Sequence, residues 1–313
     1  MWPPRKRFGT WGSEDDKHLA SALTTTVLLQ VAVGGLLMGL IYALVAAGLS
    51  LIFGLMDVVN FAHGELLMIA MYATFVIWYF TGTDPLLLLV PVALALFALG
   101  VAIYHLLMAR ALSVRFNRGM VQIFVTFGLA ILLRGAAQFT FGSDFKSVST
   151  SLLANRTLDL GGVFVPLPQL AAGIVSLLAF AALLLISRTE FGRALEATRE
   201  DREAVALIGI DRDRIFAMGW GLGSAAVGVA GVMLATFYYV SPNVGANFAL
   251  IAYVTVALGG FGSLLGALVA GLLIGEVEAL TALLFEPSLK QVGMFAIYLA
   301  VLMFRPRGLF GTL

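Results

Sequence analysis

One polar stretch interrupts the apolar sequence of this chain: Asp57-Val-Val-Asn60-Phe-Ala-His63-Gly64-Glu65. It follows the apolar run 51–56 and precedes the apolar run 66–69, so carboxylates, an amide and an imidazole stand inside what reads as lipid-buried helix. An ionisable side chain at the centre of a bilayer costs about 2.5 to 3.5 kcal/mol on the scale derived from insertion experiments. Such groups normally face the interior of a helical bundle or a water-filled cavity.

The composition of the chain predicts a membrane protein. Of its 313 residues, 60% are hydrophobic and only 12% are charged, which is too apolar for a soluble domain of ordinary size. We therefore predict an all-α, polytopic transmembrane helical bundle. The chain has no cysteine, which excludes disulfides and thiolate chemistry. Its three histidines, at positions 18, 63 and 105, are not at ligand spacing, so neither a metal site nor a cofactor is expected.

The polar N-terminus differs from the rest of the chain. Residues 1–23 carry Arg5, Lys6, Arg7 and Lys17 and lack a small-residue cleavage pattern, which predicts a cytoplasmic extension and not a signal peptide. Residues 24–313 then form a single transmembrane domain. Its first apolar run, 24–59, has about 36 residues, whereas one span needs about 20.

Basic residues predict the orientation of the loops, because Lys and Arg concentrate on the cytoplasmic side. The N-terminus, the loop 110–118, the loop 187–214 and the C-terminal tail together hold 15 of the 19 basic residues. If all four are cytoplasmic, both termini face the cytoplasm, and the runs 24–59 and 248–285 must each cross or re-enter twice. This gives ten segments, two of them short. An eight-span arrangement is the simpler alternative, so we expect 8 to 10 segments, including short or re-entrant ones.

Two breaks in the apolar sequence are candidates for a substrate path or gate. Unusually short or glycine-interrupted segments, one in each half of a transporter, point to a site between them. The predicted path residues are Asn60, His63, Glu65, Gly259, Gly260 and Gly262. The alternative is structural: the side chains would cap helix ends and the glycines would permit close packing. Arg134, within a span, is expected to reach outward to the interface or to pair with Glu276 or Glu278.

The segment 187–214 contains a pattern typical of a docking helix. Thr198 and Asp201 form an approximate capping box, a helix is predicted over 199–208, and Gly209 stands at its C-cap position. A helix this short is marginal alone in water. We therefore predict that it docks against a protein partner, the alternative being a solvated cytoplasmic loop.

Several motifs, in their order and spacing, resemble one transport family. They are Gly39-Leu-Ile-Tyr42-Ala-Leu, Asn60-Phe-Ala-His63-Gly64-Glu65, Gly192-Arg-Ala-Leu-Glu196-Ala-Thr-Arg-Glu-Asp201-Arg-Glu203-Ala204, Leu207-Ile-Gly209-Ile-Asp-Arg-Asp-Arg214, Leu258-Gly-Gly-Phe-Gly-Ser263 and Phe304-Arg-Pro-Arg-Gly-Leu-Phe310. From about residue 28 to residue 311 the chain is similar to the permease subunits of branched-chain amino-acid ABC importers, of the LivH type.

This resemblance implies a bacterial inner-membrane permease that works by alternating access. Its implied partners are cytoplasmic ATP-binding subunits, a second homologous permease and a periplasmic solute-binding protein, with no nucleic acid. It also implies that Glu203, Ala204, Leu207 and Gly209 couple the permease to the ATPase. Related permeases carry urea or short amides, so these cargoes stay open.

The lysines of the chain agree with that role. A P-loop needs Gly-Lys-Ser/Thr, and none of Lys6, Lys17, Lys146 and Lys290 stands in that context. Any ATP hydrolysis must therefore occur on another chain, and no enzyme activity is expected of this one.

Two alternatives of other classes remain. An ion-coupled carrier would use acidic residues as proton or sodium sites, and an intramembrane hydrolase would use Ser224 as its nucleophile. The acidic candidates are Asp57, Glu65, Glu276 and Glu278. Neither alternative requires a helix that docks an ATPase, so the segment 187–214 favours the permease.

Overall fold

The computed structural model describes residues 14–56, 59–114, 117–149, 151–201, 204–207 and 209–311. These residues form helices and one short hairpin. The helices are α1 (Glu14–Met56), α2 (His63–Thr81), α3 (Leu89–Ile103), α4 (Ala109–Ser113), α5 (Arg118–Phe141), α6 (Leu167–Ser187), α7 (Glu190–Glu200), α8 (Ala204–Leu207), α9 (Arg212–Leu234), α10 (Val244–Gly259), α11 (Leu264–Leu284) and α12 (Lys290–Phe304). The predicted all-α bundle is confirmed.

The hairpin consists of β1 (Thr157–Asp159) and β2 (Phe164–Pro166), paired antiparallel with Leu158 opposite Val165. It stands between α5 and α6. Short single-turn helices precede α3 and α12, and a π-helical turn, Tyr104–Met108, joins α3 to α4.

Eight segments of the described chain are long and apolar enough to cross a membrane. They are Thr25–Gly54, His63–Thr81, Pro85–Ser113, Gly119–Phe141, Leu167–Ser187, Arg212–Leu234, Leu264–Leu284 and Pro287–Phe304. Helix α10 is apolar but has only 16 residues. The expected 8 to 10 segments are therefore found as eight potential spans and one shorter helix.

Helix α1 corrects the expectation that the run 24–59 crosses twice. It continues without a break for 43 residues, about 64 Å at 1.5 Å per residue, and it starts inside the polar region 1–23. No proline interrupts it, and its glycines lie where other helices approach: a Cβ on Gly48 would be 2.7 Å from the Gly223 carbonyl oxygen. The glycines serve packing and do not end the helix.

The bundle has two ends, which we call the hairpin end and the α7 end. The side chain of Gln30, in α1, hydrogen-bonds the backbone of Phe164 in the hairpin. Farther along α1, Gly54 lies against Gly262 and Arg199 of α7. Because α6 leads from the hairpin to α7, helix α1 runs from the hairpin end to the α7 end.

The C-terminal tail lies at the α7 end. The backbone amides of Leu309 and Phe310 donate to the carbonyls of Leu258 and Gly259, 2.8 and 3.0 Å away. Helix α1 begins at the opposite end of the bundle. This placement differs from the expectation that both termini share one side, which rested on the count of basic residues; the side of the membrane that each terminus faces stays a prediction.

Helices α1 and α11 pack through two matching pairs of glycines, Gly35-x3-Gly39 and Gly271-x3-Gly275. A Cβ on Gly275 would lie 2.3 Å from the Gly35 carbonyl oxygen, and one on Gly39 would lie 2.8 Å from the Cα of Leu272. Inside a membrane, lipid is as apolar as leucine, so helices associate by such close packing of small residues. Helix α9 also lies at the centre of the bundle, because 78% of its apolar 18-residue stretch is buried.

Candidate functional site

The first predicted break is a buried turn between α1 and α2. His63 begins α2, is completely buried, and donates from Nε2 to the Val45 carbonyl oxygen at 2.9 Å. The Asn60 side chain accepts from the Ala62 amide at 3.0 Å. From α10, the Tyr253 hydroxyl donates to the Phe61 carbonyl oxygen at 3.1 Å. Hydrogen bonds therefore connect the turn between α1 and α2 to both α1 and α10.

Glu65 forms an ion pair within the bundle. Its carboxylate is 2% exposed and accepts from both Nε and Nη2 of Arg134 in α5, the former at 3.1 Å. Its second oxygen, Oε2, has no hydrogen-bond partner among the described residues. Arg134 therefore neither reaches outward to the interface nor pairs with Glu276 or Glu278, as its sequence position suggested. Because α2 turns Glu65 toward α5, the carboxylate is a nearer partner than the membrane surface.

The second predicted break is the turn between α10 and α11. Gly260 and Gly262 adopt φ values of +104° and +79°, which side chains other than glycine rarely tolerate. Gly259 packs against Gly266, and the Ser263 hydroxyl caps α11 by accepting from the Gly266 amide at 3.0 Å. The residues of this turn are therefore required by its backbone geometry.

The two breaks lie at opposite ends of α10. Gly64 of the first break faces Gly245, where a Cβ on Gly64 would be 2.1 Å from the Gly245 carbonyl oxygen, whereas Gly259 ends the helix. The 14 residues between 245 and 259 correspond to about 21 Å. The structure therefore does not bring the two groups of predicted path residues together, although both contact α10.

The segment after α6 differs from the predicted single helix over 199–208. It contains α7, capped by the Thr189 hydroxyl, which accepts from the Gly192 amide at 3.5 Å, and the four-residue helix α8. Thr198 is no cap, because its hydroxyl donates to the Ala194 carbonyl oxygen within α7 at 2.6 Å. The helix start predicted at residue 199 is therefore wrong by nine residues, about two and a half turns, because α7 begins at Glu190.

The predicted coupling residues surround α8. Ala204 and Leu207 are its first and last residues, and Glu203 lies outside the described residues. Leu207 is 89% exposed. Gly209 has a φ of +82°, and the Ile210 amide donates to the Val205 carbonyl oxygen at 3.1 Å, as in a Schellman C-cap. The helix end predicted at Gly209 is confirmed.

Arg199 connects α7 to the turn between α10 and α11. A Cβ on Gly262 would lie 2.9 Å from Cζ of Arg199, so the guanidinium rests on the glycine. A cavity of about 320 Å³ lies at this junction, and its lining includes Ser50, Arg188 and Glu196. The C-terminal tail contacts the same turn at Gly260. Helix α7 and the C-terminal tail therefore both contact the turn that follows α10.

Comparison with known proteins identifies the family. The family described as "Branched-chain amino acid transport system / permease component" matches residues 31–302. The chain belongs to this permease family. The chain is also similar to BraD of Pseudomonas aeruginosa, a high-affinity branched-chain amino acid transport system permease, with 32% identity over 293 residues that cover 90% of this chain and 95% of BraD. LivH of Escherichia coli K12, of the same description, is 32% identical over 295 residues, with the same coverage.

Another relative of this permease has a different cargo in its name. The ribose import permease RbsC of Escherichia coli is 33% identical over 232 residues, 68% of each chain. Overall similarity thus extends across permeases whose names give different solutes. This permease is a multi-pass membrane component of a transport system.

Ser224 of the permease is not arranged as a nucleophile. The side chain faces α3, where a Cβ on Gly100 would lie 2.4 Å from the Ser224 hydroxyl oxygen. The His63 ring instead faces α1, beside Val45 and Gly48. The described residues therefore bring no histidine into a hydrogen bond with Ser224, which a nucleophile activated by histidine requires.

Two features of the permease were missed from the sequence. Arg199 is predicted from the sequence only as the start of a helix, whereas in the structure its guanidinium contacts Gly262. The length and charge of this side chain were the only sequence signals for that contact. Tyr42 appeared in a family motif but was assigned no role, and in the structure its hydroxyl donates to Glu278 at 2.7 Å. Sequence spacing cannot pair residues 236 positions apart.

Proposed function

We propose that the permease is the membrane subunit of an ATP-driven importer in the bacterial inner membrane, and that it translocates branched-chain amino acids by alternating access. The names of BraD and LivH support this cargo, and urea or a short amide is the alternative within the family. In this proposal the ATP-binding subunits hydrolyse ATP, and the permease performs no covalent chemistry. A second, homologous permease and a periplasmic solute-binding protein complete the importer.

The contact of Arg199 with Gly262 supports the proposal most. Helix α8 offers the exposed Leu207 to a partner, while α7 touches the turn that ends α10. An ATPase docked on α8 would therefore move α7, and α7 would transmit the movement to a helix that contacts both predicted breaks. A secondary carrier has no need of this linkage.

The proposed orientation places the α7 end in the cytoplasm. The segment 187–214 alone holds six of the nineteen basic residues, which favours the cytoplasmic side. The C-terminal tail is then cytoplasmic as well. Helix α1 starts at the hairpin end, which faces the periplasm, where the solute-binding protein would dock.

Transport in proteoliposomes tests the proposal. The permease is reconstituted with its second permease and ATP-binding subunits, and the solute-binding protein and radiolabelled L-leucine are added outside. We expect leucine to accumulate with ATP in the lumen and not with a non-hydrolysable analogue, and we expect no accumulation of urea. Uptake driven by a sodium or proton gradient without ATP would contradict the proposal, and uptake of urea in place of leucine would change its cargo.

A further inference from the structure

Glu278 of α11 is a buried carboxylate with an unused oxygen. The residue is 5% exposed, and its Oε2 accepts from the Tyr42 hydroxyl at 2.7 Å. Its Oε1 is buried and has no hydrogen-bond partner among the described residues. An unpaired buried oxygen of this kind is costly, and ionisable groups within a membrane bundle usually have a functional partner.

Two further aromatic side chains, Phe248 and Tyr238, follow Tyr42 in this region. The ring centroid of Phe248, in α10, is 6.2 Å from that of Tyr42 and 5.4 Å from that of Tyr238, which follows α9. The Tyr238 hydroxyl lies within electrostatic reach of Glu278. One series of contacts therefore runs from Glu278 in α11 through Tyr42 in α1 and Phe248 in α10 to Tyr238.

Two cations of the described bundle have partners other than Glu278. Arg134 is paired with Glu65, and the Lys146 ammonium lies over the Phe75 ring, 5.9 Å from its centroid. Neither Arg134 nor Lys146 therefore supplies a positive charge to the Glu278 carboxylate.

We propose that Glu278, Tyr42, Tyr238 and Phe248 form the subsite that binds the primary ammonium group of the cargo. The inference rests on the proposed function and deepens it, because an amino acid carries an ammonium group that urea and ribose lack. A carboxylate attracts the ammonium charge, and aromatic faces bind cations through their quadrupoles. The subsite selects amino acids by charge and is indifferent to the branching of their side chains.

The position of the subsite fits entry from the hairpin end. Glu278 lies six residues before the end of α11, about 9 Å along the helix axis from that end. Tyr238 is partly exposed and stacks on the exposed Tyr239, with 4.4 Å between ring centroids. The strand-like pairing of Val240 with Lys146 holds this segment at the hairpin end. Tyr238 is therefore the most accessible member of this group, since Tyr42, Phe248 and Glu278 are buried.

Uptake by the reconstituted importer provides the first test. Glu278→Gln keeps the size and hydrogen-bonding capacity of the side chain and removes its charge, so L-leucine uptake should fall about tenfold or more. Glu286→Gln is the matched control, since Glu286 is an exposed carboxylate two residues beyond the end of α11. It should stay within about twofold of wild type. Equal effects of the two variants, or normal uptake by Glu278→Gln, would overturn the inference.

A second test needs neither leucine transport nor a variant of Glu278. Because the chain has no cysteine, Tyr239→Cys provides a single site for a membrane-impermeant maleimide. Isopentylamine should slow labelling at least about threefold, while the neutral isopentanol should not. An equal effect of amine and alcohol, or protection by sodium ions in place of the amine, would overturn the ammonium subsite. Failure of leucine uptake alone, with protection by the amine intact, would count against the proposed cargo and not against the subsite.

Discussion

Gly262 is one of the residues at which α7 meets the transmembrane bundle. Its φ of +79° and the guanidinium of Arg199 beside it both disfavour a side chain. We predict that Gly262→Ala strains the turn by about 1 to 2 kcal/mol and displaces Arg199. Leucine transported per ATP hydrolysed, measured in proteoliposomes, should fall severalfold while the complex still assembles.

Gly34→Ala is the control for this variant. Gly34 lies in α1 with no atom within 4 Å of the position its Cβ would take, so alanine should be tolerated or slightly stabilising. A wild-type ratio of transport to hydrolysis in Gly262→Ala would exclude the glycine turn from coupling.

Arg134 contributes to stability through Glu65. Arg134→Gln leaves the buried carboxylate without its cation, and we expect a loss of about 2 kcal/mol, seen as a melting temperature about 5 °C lower for the detergent-solubilised permease. The estimate stays below the full cost of breaking a buried pair, because the Arg134 side chain is 39% exposed.

The double variant Glu65→Gln, Arg134→Gln decides between the ion pair and simple packing. It should recover part of the loss, because it leaves no unpaired charge. Arg156→Gln, in the exposed loop before the hairpin, should leave the melting temperature unchanged. If the double variant melts lower than Arg134→Gln alone, the pair is not what holds α5 to α2.

Among the elements, α8 and its glycine cap are the most sensitive test of coupling. Gly209 has a φ of +82° and open space around the position of a Cβ. Gly209→Val should therefore disrupt α8 through backbone strain alone, since β-branched residues rarely adopt this conformation. We expect cargo-dependent stimulation of ATP hydrolysis to be lost.

Gly209→Asn is the matched variant. Asparagine tolerates the left-handed conformation, so it should retain stimulation close to that of wild type. Intact stimulation in Gly209→Val, or equal losses in both variants, would count against a coupling role for this helix end.

At the scale of the whole molecule, the orientation can be measured by cysteine accessibility in a chain that has no native cysteine. We predict that Glu200→Cys, at the end of α7, reacts with an impermeant maleimide only from the cytoplasmic side. Ser288→Cys, at the start of the last span, and Val27→Cys, in the exposed first part of α1, should react only from the periplasmic side. Labelling of Val27→Cys and Glu200→Cys from the same side would contradict the described path of α1.

The sequence by itself determined the class of fold and most positions of its breaks. The apolar composition predicts a membrane bundle. The helix ends at Gly209 and Gly260 could also be predicted, because glycine readily adopts the left-handed backbone conformation, which depends on a single residue. Family motifs likewise indicated a permease. All of these signals depend on residues that are neighbours in the chain.

Only the tertiary structure decided how those pieces meet. Hydrophobicity does not distinguish one long helix from two short ones, so the apolar run of α1 could have turned back on itself. In the structure α1 is continuous, and its glycines lie where α9 and α11 pack against it. The partners of Glu65 and Glu278 lie on other helices, at Arg134 and Tyr42. Spacing along the chain carries no record of such pairs, because the packing of small residues sets which helix faces come together.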